Sequence, residues 1–155
     1  MRKFEVISVN EYEKVLKEKC SYEDILLPKR STKNSAGYDF FSPFAFELKP
    51  GDIIKVPTGI KVCMNSDEFL AILVRSSMGF KYNIRLCNQV GIVDSDYYNN
   101  PDNEGHMFIA LKNEGDKVFK VEKGDKFAQG IFQKYYVTDD DEAFGERKGG
   151  FGSTN

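Results

Sequence analysis

From residue 20 onward the chain runs in short apolar or alternating stretches, broken roughly every 8 to 12 residues by turn formers. The breaks are Lys49-Pro50-Gly51-Asp52, Pro57-Thr58-Gly59, Glu114-Gly115-Asp116 and Glu122-Lys123-Gly124-Asp125. Between them the pattern predicts strands over Asp52–Val56, Ile60–Met64, Phe69–Val74, Ile84–Val93, Met107–Leu111, Val118–Val121 and Phe127–Val137. Many short strands at this spacing specify an all-β sandwich or barrel. The recurring Gly-Asp turns are too short to mark a repeat protein. Ahead of the strands, Tyr12, Val15 and Leu16 recur at helical spacing, with Ser8 three residues before Glu11 in the manner of a capping box. This predicts one short surface helix over Glu11–Lys19. After Asp139-Asp140-Asp141-Glu142 the strand pattern stops, and Gly145–Asn155 is rich in glycine and serine. The expectation is a compact body, residues 1–138, followed by a mobile arm, residues 139–155.

Composition narrows the chemistry. The 155 residues, 41% hydrophobic and 30% charged, suit one ordinary globular domain. A net charge of -2 has the wrong sign for coating nucleic acid or an anionic membrane, so any phosphate must be gripped locally. No apolar run has the length of a signal peptide or a transmembrane span, which gives a cytoplasmic reading. Three widely separated cysteines, Cys20, Cys63 and Cys87, form neither a disulfide framework nor C-x-x-C zinc pairs. His106 is the only histidine and no G-x-S-x-G accompanies it, so acid-base work falls to carboxylates, water and metal.

Three segments carry candidate chemistry. Arg75-Ser76-Ser77-Met78-Gly79 follows an apolar strand, where it opens into a loop or short helix. A guanidinium with two hydroxyls holds phosphate oxygens, and the same residues also make an ordinary solvated turn. In Asp94-Ser95-Asp96-Tyr97, period 2 puts both aspartates on one face. Such a pair polarises a water, binds a cation or caps a hairpin, and spacing does not say which aspartate would be a base. Gly149-Gly150-Phe151-Gly152-Ser153-Thr154 lacks the Gly-Lys-Ser/Thr order of a phosphate loop and has no following helix. It binds phosphate only by closing over it as an arm; otherwise it is a plain disordered tail.

Taken in order, the segments resemble the five motifs of the trimeric dUTPase family over nearly the whole chain. Ala36–Ser42 is similar to the first and Arg75–Gly79 to the second. Asn88–Tyr97 is similar to the third, Gly124–Lys134 to the fourth and Arg147–Thr154 to the fifth. The resemblance implies a jelly-roll type β-barrel, a homotrimer with shared active sites, and magnesium-dependent hydrolysis of dUTP to dUMP and pyrophosphate. It assigns the general base to Asp94 and the ring that packs on deoxyribose to Tyr97. Asn88 with the backbone of Gly91, Ile92 and Val93 corresponds to the uracil-reading hairpin. Arg75, Ser76, Ser77 and Gln129 correspond to phosphate ligands, and Asp39 to a carboxylate that reaches Mg²⁺ through water. Arg147, Phe151, Gly152 and Ser153 correspond to the closing arm.

The chain departs from the family pattern twice. The family's usual glycine two residues after the third-motif tyrosine is displaced, because Tyr98–Glu104 precede Gly105 and enlarge the hairpin. Only Lys148 separates Arg147 from the Gly149-Gly150 pair, where the family has two residues. The related dCTP deaminases share the fold and an Arg-Ser-Ser motif but need a glutamate on the strand after the third motif, where this chain has Lys112. A nucleotide-switched regulatory binding protein is the alternative from another class.

Overall fold

The computed structural model describes residues 1–152. Its β-strands are β1 (Lys3–Val6), β2 (Tyr38–Phe41), β3 (Phe46–Leu48), β4 (Ile53–Pro57), β5 (Ile60–Cys63), β6 (Glu68–Leu73), β7 (Ile84–Leu86), β8 (Gly91–Asp94), β9 (Phe108–Asn113), β10 (Phe119–Val121) and β11 (Lys126–Lys134). Two short helices, α1 (Val9–Val15) and α2 (Ser76–Tyr82), accompany them. The order β2-β11-β6-β8 forms one sheet and β4-β9-β7 another, with smaller pairs β1-β5 and β3-β10. Every strand pairing is antiparallel. This is the expected all-β architecture of jelly-roll type.

Alternation along the strands builds the core. In β9, Ile109, Leu111 and Asn113 are buried while Phe108, Ala110 and Lys112 are less so, the period of 2 that a pleated strand imposes. Phe40, Leu70 and Phe127 from the four-stranded sheet meet Val56, Ile84 and Leu111 from the other side in one cluster. Each fully buried side chain of this kind contributes about 1.5–3 kcal/mol, so the interior holds the sheets in fixed register.

The helix is shorter than the charged stretch predicts: it ends at Val15, and Lys17, Glu18 and Lys19 are exposed and add no buried side chain to the packed face of Leu16. Ser8 caps it, its hydroxyl accepting from the Glu11 N–H at 3.2 Å. Glu11 does not reach back to close a capping box. It is buried and accepts from His106 at 3.1 Å, while the Gly59 N–H donates to the other ring nitrogen of His106 at 2.9 Å. The ring therefore carries its proton on Nδ1, and burial pushes His106 down to about 4, against the pull of Glu104. Near neutral pH it is an uncharged structural link between α1 and the β4–β5 turn.

Two strand boundaries need correction. The predicted Ile84–Val93 strand divides into β7 and β8, which join different sheets. Asn88 and Gln89 turn the chain there, with Gln89 at φ 64 and the Val90 N–H donating to the Asn88 carbonyl. The strand predicted to reach Val137 ends at Lys134, which faces the first residue of β6, leaving Tyr136 and Val137 without a partner strand.

Candidate active site

β8 is the edge strand of its sheet, paired only to β6. In an antiparallel ladder, alternate residues turn both N–H and C=O toward the unpaired side, so a free edge offers donor and acceptor pairs side by side. Close packing secures that edge: a Cβ on Gly91 would sit 3.1 Å from the Cβ of Ile72 on β6. Beyond β8 the chain enters a 3-10 turn, Ser95–Tyr97, which ends the strand period. The turn still leaves Asp94 and Asp96 facing one group, the Arg147 guanidinium, at 2.7 Å each.

These residues line a cleft of about 600 Å³, the size of a small-molecule site. Its walls include Asn88, Gly91, Ile92, Val93, Asp94 and Tyr97, and Arg147, Phe151 and Gly152 from the arm. Phe151 meets Phe108 edge to face at 5.8 Å, and Arg147 lies 5.9 Å from the Tyr97 ring centre. Arg147 thus finds its negative charge on two carboxylates of the protein. Burial pushes the Tyr97 hydroxyl above its ordinary range, against the effect of the Asn103 amide, so it stays protonated.

The remaining predicted residues gather elsewhere. Asp39 on β2 and Gln129 on β11 are register partners, and Arg75 is the N-cap residue of α2 just past β6. With Ser76 and Ser77 they line a second cavity of about 470 Å³. The Gln129 side chain fills the space where Gly37 has no Cβ: an added one would lie 2.1 Å from its Oε1. Asp39 accepts from Ser31 at 2.6 Å and pairs with Arg75 at 3.2 Å and Lys126 at 3.1 Å. Burial works to raise its pKa, but Ser31, Lys126 and Arg75 outweigh it and hold the carboxyl below its ordinary value. Asp39 is therefore a fixed anion amid cations.

The two cavities share no lining residue. Asp94 faces Phe69 at the start of β6, whereas Arg75 lies six residues further along the same run. At the rise of an extended chain that is roughly 20 Å, more than a triphosphate chain spans. The first, second and fourth motif segments thus build one cavity, and the third and fifth build the other.

Among the described residues no three His, Cys, Asp or Glu side chains gather into a metal cage. Mg²⁺ delivered on a phosphate ligand needs none, because it keeps several waters and takes one or two carboxylates in addition to the phosphates. The oxygen donors Asp39, Ser76 and Ser77 in the second cavity suit that mode. Ser153 lies outside the described residues. Phe108, which lines the first cleft, and Asn103 and His106, which hydrogen-bond the Tyr97 hydroxyl, belong to no motif segment and were not foreseen; the signal that marks their region is the enlarged hairpin. No helix among the described residues is long and apolar enough to cross a membrane.

A family model described as dUTPase matches residues 23–155. The chain is 48% identical over 132 residues to the deoxyuridine 5'-triphosphate nucleotidohydrolase of Lactococcus lactis subsp. lactis (strain IL1403), covering 84% of this chain and 88% of that protein. It is 35% identical over 134 residues to the like-named protein of Actinobacillus succinogenes, with 81% and 85% covered. Among solved structures, the dUTPase from Streptococcus mutans matches with a TM-score of 0.71 at 39% identity, over 88% of this chain and 98% of that one. The dUTPase from phage phi11 of S. aureus, described with a species-specific insert, matches with a TM-score of 0.70 over 94% and 97% of the chains. Its 18% identity speaks to the fold alone. Another structure of that phage enzyme is described as coordinating a structural Mg(II) ion.

Proposed function

The chain belongs to the dUTPase family and hydrolyses dUTP to dUMP and pyrophosphate, and we propose that it does so by water attack on the α-phosphorus with Asp94 as general base. The observation that carries this reading is the layout of one segment: β8 brings a free backbone edge, then Asp94, then Tyr97 to a single cleft. Uracil offers a carbonyl and an N–H side by side, which the backbone edge of Gly91–Val93 and the Asn88 side chain complement. Tyr97 packs on the deoxyribose and leaves no room for a 2′-hydroxyl. Asp94 holds a water and takes its proton as the water oxygen bonds to the α-phosphorus. The bond from that phosphorus to the bridging oxygen breaks, and pyrophosphate leaves. For this step Arg147 must leave Asp94, and the phosphates of the substrate supply the negative charge that draws it away. Phe151 then covers the base, with Gly152 closing behind it.

Arg75, Ser76, Ser77 and Gln129 hold phosphate oxygens, but in a single chain they stand too far along β6 from Asp94 to share one substrate. We therefore propose a homotrimer in which the phosphate cavity of one copy completes the nucleoside cleft of another. Asp39 would reach a Mg²⁺ carried on the phosphates through water, and the ion would supply charge neutralisation and a fixed triphosphate conformation. Three free cysteines suit the proposed reducing, cytoplasmic location.

Product analysis after incubation with dUTP, UTP, dTTP and dCTP in magnesium tests this function. The expected result is dUMP and pyrophosphate from dUTP, with kcat/KM at least about 100-fold above that for UTP or dTTP, the scale of a few kcal/mol in transition-state binding. Ammonia released from dCTP, or equal rates on UTP, would contradict it.

A further inference from the structure

The enlarged hairpin is an ordered bracket around Tyr97. The Tyr97 hydroxyl donates to the His106 carbonyl at 2.8 Å and accepts from the Asn103 side-chain amide at 2.8 Å, so the tip of the ring is held from two sides. Asn103 is itself fixed. Its Oδ1 accepts from the Gly105 N–H at 3.1 Å and from Asn100 Nδ2 at 2.8 Å. Asn100, only 5% exposed, accepts from the Asp102 and Asn103 N–H groups and donates to the Tyr97 carbonyl. Gly105 closes the loop at φ 88, and a Cβ there would lie 2.8 Å from the Tyr97 carbonyl oxygen.

The bracket is also tied to the body of the protein. The Glu104 carboxylate accepts from the Ser8 N–H at 2.6 Å and the Ser8 hydroxyl at 2.7 Å. The Tyr98 hydroxyl donates to Glu5 at 2.6 Å, and Lys61 donates to Asn99 at 2.9 Å. The same Asn103 amide backs the arm: a Cβ on Gly150 would lie 3.3 Å from its Nδ2 and 3.5 Å from the Tyr97 ring.

We propose that Asn103 is a positioning residue for sugar discrimination, clamping the Tyr97 ring so that it cannot tilt to admit a 2′-hydroxyl. The proposal rests on the reading of Tyr97 as the wall against deoxyribose. Exclusion by a wall is only as strong as the wall is stiff. An aromatic ring held solely by packing can swing away from one added oxygen, whereas this ring must first give up its hydrogen bond to Asn103. The residues that interrupt the family's short turn thereby supply a second support for the discriminating ring.

The test measures kcat/KM for dUTP and UTP in wild type, Asn103→Ala, Tyr97→Phe, the double variant and Tyr97→Ala. Tyr97→Phe removes the clamped hydroxyl but leaves the bonds within the hairpin intact, so it keeps the test valid if Asn103→Ala loosens the loop. The expected dUTP/UTP ratio falls about tenfold in Asn103→Ala, the scale of one lost hydrogen bond, by at least as much in Tyr97→Phe, which also gives up the bond to the His106 carbonyl, and no further in the double variant than in Tyr97→Phe. A merely structural role would lower both substrates together and leave the ratio unchanged. An unchanged ratio in Tyr97→Phe, or additive losses in the double variant, overturns the clamp. If Tyr97→Ala loses discrimination while Asn103→Ala and Tyr97→Phe keep it, the Tyr97 reading stands and only the clamp fails. If Tyr97→Ala also keeps it, both fail.

Discussion

Asp94→Asn lowers kcat by about 10²-fold or more while nucleotide binding changes little, because the amide keeps the shape of the carboxylate but cannot take a proton from water. Asp96→Asn does much less. The pair is a sharp control, since both side chains contact the same guanidinium at 2.7 Å and their exposures are alike, 53% and 57%. Loss of either carboxylate loosens the resting arm to a similar degree. A large difference between the two variants therefore reports proton transfer and not arm docking. Steady-state kinetics with an independent measure of dUMP affinity separates the two effects. If Asp96→Asn proves the more damaging variant, the base sits two residues later in the chain than proposed.

Truncation after Asp141 leaves a folded protein with nearly the wild-type melting curve but lowers kcat by roughly 10²-fold, the cost of losing charge-stabilising donors and water exclusion at the reacting phosphates. Stability changes little because residues 139–146 are exposed and carry no helix or strand. Among the described residues the contacts removed include those of Arg147 with the two aspartates and of Phe151 with Phe108, and Gly150 lies close beside Tyr97 and Asn103. dUMP, which needs only the β8 edge and Tyr97, binds almost normally. Calorimetric melting, dUMP titration and turnover on the same truncated protein check all three statements, and undiminished kcat would make residues 142–155 a tail without a catalytic role.

Among the strands that the sequence made legible, β4, β5, β9, β10 and β11 each begin or end at a glycine turn, and β6 is marked by its apolar run alone. β7 and β8 were merged because only Asn88 and Gln89 interrupt ten otherwise strand-like residues, and the turn depends on a positive φ at Gln89 that no composition rule marks. β1 alternates as Lys3-Phe4-Glu5-Val6, yet four residues next to a helix signal are too few to stand out until β5 pairs with them. Glu11 sat at the right spacing for a capping box and was drawn instead to a buried histidine 95 residues away, a choice only the packed interior makes. The five motif segments gave most of the residues of both cavities, but not Lys55, Ile72, Leu86, Met107, Phe108 and Ala110 in the wall of the first. Their linear order carried no trace of the division into two cavities, which arises because Arg75, Ser76 and Ser77, just past the end of β6, line a different cavity from the β8 residues that pair with that strand. The Asn100–Asn103 network was invisible because its donors and acceptors are ordinary loop residues whose value lies in mutual geometry.

Hydrolysis of dUTP in ¹⁸O-enriched water, followed by mass analysis of both products, tests most directly whether an Asp94-activated water attacks the α-phosphorus. One labelled oxygen in dUMP and none in pyrophosphate is the predicted result; label in pyrophosphate with unlabelled dUMP would place the attack on the β-phosphorus and contradict the mechanism.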